Sequence, residues 1–202
     1  MNKNNTFKEI WDEIKKHKRI AMSLHYAPDG DSFGSCTAIK YVLQRDLNAE
    51  VTLVSNDDLS ENLKKMSFSK EIKFGKDISE LDSKDFDLFL FVDSGTYKWF
   101  SGKQREKYEL PKGVKVINMD HHPTNIYFGD LNYVDSKNPS TCSLFVDFFR
   151  NVNVKFDKEL SNRLLLGVCT DSGFFTYDTN PGKALEDAAF LIKHGADYQN
   201  SI

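Results

Sequence analysis

The stretch IAMSLHYAPDGDSFGSC, residues 20–36, joins a short apolar run to a loop with two acidic residues and then to an amphipathic segment. The apolar run is typical of a buried strand, and the amphipathic segment is typical of a helix. A strand that leads through a loop into a helix is the repeating unit of a parallel sheet. The loop places His25, Asp29 and Asp31 directly after the strand. Carboxylates this close together repel each other unless a cation neutralises them, so the loop raises the question of a metal site.

The rest of the chain continues the alternation of apolar runs with helical patterns. Further strands are predicted at 51–54, 72–74, 87–92 and 114–119, and further helices at 57–70, 140–151, 158–169 and 182–194. A first helix is predicted to begin at Thr6, which forms a capping-box pattern with Glu9. The alternation predicts an α/β fold, a mostly parallel β-sheet flanked by helices on both faces. Sheets of this kind carry their sites at the carboxyl ends of the strands.

The composition of the 202-residue chain is that of a globular protein, with 40% hydrophobic and 28% charged residues. A formal net charge of −3 gives no general basic signature of nucleic-acid binding. The three cysteines form no CxxC pair, which favours buried thiols in a reducing compartment. No apolar stretch reaches the roughly 18 residues of a membrane span, and the polar N-terminus lacks the apolar core of a signal peptide. We therefore expect a cytoplasmic protein with no membrane partner.

Acidic and imidazole side chains also follow three later apolar segments: Asp93, then Asp120, His121 and His122, and finally Asp171. Each of these residues alone is more typical of a turn or a cap than of a site. Together they indicate a site, because the carboxyl ends of parallel strands meet at one edge of the sheet. The combined pattern predicts a two-metal centre at that edge.

The ligand types indicate which metal the centre would hold. A mixed set of aspartates and histidines without thiolate suits Mn²⁺, with Mg²⁺, Co²⁺ and Fe²⁺ as alternatives. Two such ions can act together on a phosphoryl group, and a carboxylate shared between them is the usual bridge. We expect Asp93 to be that bridge, because it arrives alone from a central strand.

Four motifs in the chain, HYAPDGDSFGS, FVDSG, NMDHHPTN and CTDSGFF, resemble in sequence and order the four motifs of the DHH phosphoesterases. The resemblance covers residues 20–198, and the wording FGDLNYVD and NPSTCS looks similar to the DHH/DHHA1 branch. That branch contains RecJ-like nano-RNases, pAp phosphatases and phosphodiesterases that act on cyclic dinucleotides. The resemblance therefore implies an α/β phosphoesterase domain with two divalent ions.

The resemblance also implies a role for each candidate residue. It implies two sets of metal ligands that share one carboxylate: His25, Asp29 and Asp93 for the first ion, and Asp31, His121, Asp171 and Asp93 for the second. Besides Asp93, it implies catalytic roles for His122, which would face the substrate phosphate, and for Asp120, which would orient the histidines. The implied reaction is attack on phosphorus by a hydroxide held between the two ions.

Two departures from the family pattern affect the expected domain organisation and substrate contacts. The family often has an arginine after its second motif, where this chain offers Lys98. The family usually has a second domain with a glycine-rich GGGH-type motif, which these 202 residues do not contain. We expect residues 1–202 to be a DHH catalytic domain and a fragment, without the DHHA1 substrate-binding domain. A naturally short protein is the lesser alternative.

The predicted function is a Mn²⁺-dependent phosphodiesterase or phosphatase. Its predicted substrates are short single-stranded oligonucleotides or small nucleotides such as nano-RNA, pAp, pApA or cyclic dinucleotides. Two alternatives are a family-II manganese inorganic pyrophosphatase and a non-catalytic nucleotide-binding module, and a homodimer is left open. The sequence leaves two further points open: whether Tyr97 or Trp99 stacks on bases or packs in the core, and whether Gly34 serves phosphate binding or close packing.

Overall fold

The computed structural model describes residues 4–103, 105–177 and 180–199, and it contains a six-stranded parallel sheet. The strands are β1 (Arg19–Ser23), β2 (Glu50–Ser55), β3 (Lys73–Phe74), β4 (Leu88–Val92), β5 (Lys115–Asp120) and β6 (Leu131–Val134). Their order across the sheet is β3-β2-β1-β4-β5-β6. The chain runs outward from β1 in one direction and from β4 in the other. The crevice between β1 and β4 is therefore the topological switch point, where open parallel sheets bind ligands.

The described α-helices lie before, between and after these strands. They are α1 (Phe7–Ile14), α2 (Gly30–Leu47), α3 (Glu61–Lys64), α4 (Thr141–Asn151), α5 (Lys158–Asp171) and α6 (Pro181–Lys193). The capping box of α1 is confirmed, since the side chains of Thr6 and Glu9 each accept a hydrogen bond from the other residue's backbone N–H. None of the helices in the described part of the chain combines the length and the apolar character that crossing a bilayer requires.

Both faces of the sheet are covered, which confirms the predicted α/β architecture. Leu88, Leu90 and Val92 of β4 face a large apolar core to which the α-helices contribute. Phe89 and Phe91 face a second, smaller core. That core is closed by short 3₁₀ helices at Ile78–Glu80 and Tyr97–Phe100, together with Tyr108, Leu110 and Val114. A strand buried on both faces reads as a continuous apolar run, which explains why β4 was predictable.

Two segments differ from the predictions. The predicted helix at 57–70 is wrong, because α3 spans only Glu61–Lys64 and a 3₁₀ helix follows at Ser67–Glu71. Met66 between them is extended, and the Ser69 hydroxyl donates to the Lys64 carbonyl oxygen, so side-chain hydrogen bonds compete with a continuous helix. Strand β6 was not predicted, because the polar Asn132 interrupts its few apolar residues and leaves no clear strand pattern.

Helices α2 and α5 approach each other closely at glycines. A Cβ atom on Gly34 would lie 2.6 Å from the carbonyl oxygen of Arg163, and a Cβ atom on Gly167 would lie 2.5 Å from Asp31 Oδ1. Side chains at either position would push the helices apart. Gly34 therefore serves close packing against α5. The contact also holds Asp31, at the start of α2, against α5.

Candidate metal centre

The first cluster of ligand atoms lies at the crevice between β1 and β4. The Nε2 atom of His25 is 3.7 Å from Asp29 Oδ1 and 3.5 Å from Asp93 Oδ2. His25 follows β1 and Asp93 follows β4, and the two strands are neighbours in the sheet. One ligand atom from each of these three residues lies within 4.8 Å of the others, so the group could hold a metal ion.

The second cluster lies beside the first and combines residues from α2, α5 and the end of β5. The Nε2 atom of His121 is 3.9 Å from Asp31 Oδ2, 3.7 Å from Asp93 Oδ1 and 3.5 Å from Asp171 Oδ2. Asp31, His121 and Asp171 form a second group that could hold a metal ion. Asp93 joins the clusters, because its Oδ2 faces His25 and its Oδ1 faces His121.

The separations within both clusters are too long for ordinary hydrogen bonds. The nitrogen-to-oxygen distances that join His25 and His121 to the carboxylates are 3.5–3.9 Å, whereas N–H···O hydrogen bonds span about 2.7–3.2 Å. Each imidazole nitrogen therefore approaches several oxygens without bonding to one of them. These nitrogen and oxygen atoms converge on a shared point in space, which is the arrangement a bound cation requires.

Helix α2 begins inside the site and fixes its two acidic residues. Asp29 is the N-cap, and its Oδ1 accepts hydrogen bonds from the backbone N–H groups of Asp31 and Ser32 at 3.0 and 2.9 Å. The buried Asp31 carboxylate accepts from the N–H groups of Thr141 and Cys142 at 2.6 and 2.9 Å. These N–H groups form the start of α4, whose N-terminus favours a negative charge.

Asp93 is held by its backbone and by a hydroxyl group. Its φ of 64° lies in the left-handed region, which aspartate tolerates better than most residues. Its backbone N–H donates to the Met119 carbonyl oxygen at 3.1 Å. The Thr141 hydroxyl donates to Asp93 Oδ1 at 2.9 Å. Thr141 therefore contacts both Asp31 and Asp93, the two buried carboxylates of the clusters.

Backbone carbonyl oxygens orient two of the imidazoles. The Nδ1 atom of His25 lies 2.8 Å from the Tyr26 oxygen, and Nδ1 of His121 lies 3.3 Å from the Asn138 oxygen. A proton held on Nδ1 by a carbonyl oxygen leaves Nε2 free to coordinate a metal. The expectation that Asp120 orients the histidines therefore does not hold for His121, whose Nδ1 contact is to the Asn138 oxygen.

Asp120 forms its close contact with His122. Its Oδ1 is 2.7 Å from His122 Nδ1, and this hydrogen bond is the main cause that raises the pKa of His122 to about 9. The other carboxylate oxygen accepts a hydrogen bond from Asn125 Nδ2 at 2.6 Å. Asp120 is fully buried, whereas the His122 side chain is 43% exposed. The pair thus presents an imidazolium, backed by a buried carboxylate, to the open side of the site.

The clusters shift the pKa values of several ionisable groups away from their ordinary range. Burial acts to lower the pKa of His25, but the carboxylates of Asp29 and Asp93 raise it to about 11. Burial, together with the charges of Asp93 and Asp171, raises the pKa of Asp31 well above its usual range. Burial raises the pKa of Asp171 to about 6. The clusters therefore hold protons that a bound cation would displace, because metal ligands must be deprotonated.

All eight sequence-predicted site residues lie within or beside the two clusters. The sequence patterns did not indicate roles for Asn125, Asn138 and Thr141, although the motifs NMDHHPTN and NPSTCS contain them. Lys98, which stands where the family often has an arginine, has its Nζ 3.8 Å from a carboxylate oxygen of Glu106. The three cysteines are buried free thiols.

Fold and site together define an α/β protein with a candidate two-ion centre at the carboxyl edge of a parallel sheet. Residues 19–168 match the model of the DHH family, N-terminal domain, so the chain belongs to the DHH family.

Curated relatives carry names that describe nucleotide hydrolysis. The chain is 26% identical over 194 residues to the probable bifunctional oligoribonuclease and PAP phosphatase NrnA of Streptococcus mutans, covering 95% of this chain and 58% of the relative. It is 28% identical over 176 residues to the bifunctional oligoribonuclease and PAP phosphatase NrnA of Thermus thermophilus, covering 87% of this chain and 50% of the relative. The chain thus spans about half the length of these relatives.

Two solved structures share the fold. An exopolyphosphatase-related protein from Bacteroides fragilis superposes with a TM-score of 0.84 at 21% identity, covering 96% of this chain and 58% of the other. A putative family II inorganic pyrophosphatase from Methanococcus jannaschii superposes with a TM-score of 0.64 at 19% identity, covering 87% of this chain and 56% of the other. At these identities the likeness concerns the fold alone.

Proposed function

We propose that this chain is the catalytic part of a divalent-metal-dependent phosphoesterase that acts on short oligoribonucleotides or small nucleotides. The observation that carries the proposal is the pair of ligand clusters that share the carboxylate of Asp93. Two ions held side by side are the arrangement used by many enzymes that hydrolyse phosphate esters. Family membership and the names of the curated relatives support the same class of reaction.

The residues present fit a pair of divalent cations. Four aspartates and two histidines supply hard oxygen and borderline nitrogen donors, and the candidate groups contain no thiolate. This donor set suits Mn²⁺ best, with Mg²⁺, Co²⁺ or Fe²⁺ as alternatives. We propose His25, Asp29 and Asp93 as ligands of one ion. We propose Asp31, His121 and Asp171, together with Asp93, as ligands of the other.

The chain's own residues would bind and orient the phosphate. A pair of divalent ions, when bound, provides a nucleophile at neutral pH and neutralises the charge of the phosphoryl group. Asp120 holds a proton on Nδ1 of His122 and raises the pKa of that imidazole to about 9, so His122 is a cation at neutral pH. Its Nε2–H would donate to a phosphoryl oxygen and stabilise the charge that grows there during the reaction.

The proposed oligoribonucleotide and pAp substrates come from the names of the relatives. The chain spans only about half of the length of these relatives, so their substrates are assigned to it as a proposal. We propose nano-RNA, pAp, pApA or cyclic dinucleotides as substrates, and Mn²⁺ as the metal. A cytoplasmic location, a homodimer and the assignment of residues 1–202 to a single catalytic domain stay predictions.

The direct test is hydrolysis of pApA by the 202-residue chain with and without Mn²⁺, followed by chromatography of AMP. We expect AMP release that requires the metal and that Asp93→Asn abolishes. A matched control is Glu186→Gln, which changes an exposed carboxylate of α6 and should leave the rate unchanged. Turnover of pyrophosphate but not of pApA would favour the pyrophosphatase alternative. Metal-independent nucleotide binding without any turnover would favour a non-catalytic module.

A further inference from the structure

The cavity next to the candidate metal centre has two chemically different walls. Its volume is about 560 Å³, within the range of small-molecule sites. One wall is ionisable and the other is apolar or aromatic: His25, Asp93 and His122 on the first, and Tyr26, Trp99 and Ile126 on the second. The ionisable wall accounts for a metal-bound phosphate. The apolar wall requires a different part of the ligand.

Exposure distinguishes this wall from ordinary core packing. Tyr26, Trp99 and Ile126 are 41%, 45% and 53% exposed, and all three line the same cavity. Apolar and aromatic side chains that line a cavity together with a few polar groups are typical of small-molecule sites. Tyr97 behaves differently, because it is half-buried and its ring packs against those of Tyr108 and Phe128. Core packing therefore accounts for Tyr97 but leaves Trp99 unexplained.

The two exposed rings are ordered by contacts with each other and with an arginine. Their centroids are 6.3 Å apart, and the Tyr26 backbone N–H donates to the Trp99 oxygen at 2.6 Å. The Arg105 guanidinium carbon lies 4.0 Å from the Tyr26 ring centroid and 4.6 Å from that of Trp99, which are cation–π distances. Rings fixed in this way lose little conformational entropy when a ligand binds.

The same ordering connects the rings to the metal centre. Tyr26 is the residue after His25, and its carbonyl oxygen contacts His25 Nδ1 at 2.8 Å. His25, Asp93, Tyr26 and Trp99 all line this one cavity, so one small molecule can reach both the proposed metal ligands and the rings. A ligand with a phosphate at one end and a flat ring at the other fits this arrangement.

We propose that Trp99 forms a stacking platform for the nucleobase of the nucleotide whose phosphate lies at the metal centre, and that Tyr26, whose ring plane is inclined by 63° to that of Trp99, supports this ring from its side. This inference rests on the proposed function and specifies how the substrate is recognised. Aromatic rings stack on any base, because every base has a π face. The platform thus selects for a base next to the scissile phosphate and accepts any of the four bases. Ile126 would contact the edge of the same base.

The first experiment measures equilibrium binding and needs no turnover. The chain has two tryptophans, and the other one, Trp11, packs against Phe148 in the helical layer. A Trp11→Phe variant therefore reports on Trp99 alone. In the presence of Mn²⁺, AMP should quench its fluorescence, whereas ribose 5-phosphate, which has the same phosphate but no base, should not. AMP should also bind about 5- to 150-fold more tightly than ribose 5-phosphate.

The second experiment removes the ring. Measured by calorimetry with Mn²⁺, Trp99→Ala should weaken AMP about 5- to 150-fold and leave ribose 5-phosphate unchanged, which also shows that the variant is folded. Tyr198→Ala removes another exposed aromatic ring and should change neither affinity. Equal binding of AMP and ribose 5-phosphate, or unchanged AMP affinity in Trp99→Ala, would overturn the platform. Base-dependent binding without hydrolysis would refute the catalytic proposal but not the platform. Hydrolysis with base-independent binding would refute the platform but not the catalytic proposal.

Discussion

At the residue scale, Asp93 and Asp120 illustrate two uses of a buried carboxylate. Asp93 faces His25 with one oxygen and His121 with the other, and neither distance is short enough for a hydrogen bond. Asp120 is also buried, yet it forms a 2.7 Å contact with His122 and a further bond with Asn125. The first carboxylate is free to contact cations, whereas the second is committed to holding an imidazole. The two should respond differently to substitution.

Asp120→Asn should act on the pH dependence of the reaction rather than on metal binding. The variant keeps the shape of the side chain but removes its charge, so the pKa of His122 should fall from about 9 toward its ordinary value of 6.5. Protonated His122 is present below its pKa, so the alkaline limb of the rate profile should move to lower pH. The measurement is kcat against pH for pApA, with Mn²⁺ affinity determined in parallel.

The pH profile and the Mn²⁺ affinity together show whether Asp120 orients His122 or binds a metal ion. A loss of Mn²⁺ affinity with an unchanged alkaline limb would contradict the assignment and make Asp120 a metal ligand. Asn125→Ala is a useful companion, because it removes a hydrogen bond to the same carboxylate without removing its charge. It should shift the limb less than Asp120→Asn does.

The eight candidate residues could be predicted from the sequence because each stands at or near the end of an apolar element. Asp93 follows a continuous apolar strand, and His121 and His122 follow another. Thr141 could not be predicted, because it contacts Asp31 and Asp93, which lie 110 and 48 positions away from it in the sequence. Such contacts depend on how the helices dock, which no local pattern encodes.

At the element scale, the contact between α2 and α5 positions the acidic side of the site. Gly34 and Gly167 let the two helices approach, and Asp31 and Asp171 belong to the same two helices. The strands and the long helices were predictable from their periodicity. The segment at 57–70 was not, because serine side chains there compete for backbone hydrogen bonds.

Gly34→Ala should destabilise the fold by about 1–3 kcal/mol, because its Cβ would meet the backbone oxygen of Arg163 and the helices would have to separate. Gly182→Ala is a matched control, since a Cβ there meets nothing within 4 Å and lies in the first turn of α6. It should be neutral or slightly stabilising. Urea unfolding monitored by circular dichroism gives both values. Equal stabilities of the two variants would contradict the close-packing role.

At the scale of the whole molecule, the fold brings four aspartates to one edge of a sheet. They come from the loop after β1, from the end of β4, and from helices α2 and α5. Repulsion among these carboxylates, of which those of Asp31 and Asp93 are buried, works against the folded state, and a divalent cation removes it. The unfolded chain does not assemble these ligands, so metal binding and folding should be coupled.

Mn²⁺ should therefore raise the melting temperature of the chain. At a concentration 100 times Kd, a ligand that binds only the folded state stabilises it by about 2.7 kcal/mol. For a chain of this size that corresponds to about 5–11 °C. Differential scanning calorimetry with Mn²⁺, with EDTA and with Asp93→Asn would measure the effect. No shift with Mn²⁺, or an equal shift in Asp93→Asn, would be inconsistent with a centre built around this carboxylate.

The most direct measurement is anomalous diffraction from a crystal of the chain soaked in Mn²⁺. We expect two manganese peaks about 3.5–4 Å apart. One should lie against His25 and Asp29, the other against His121 and Asp171, and Asp93 should contact both. A single peak, no peak among these residues, or two peaks that Asp93 does not touch would contradict this expectation.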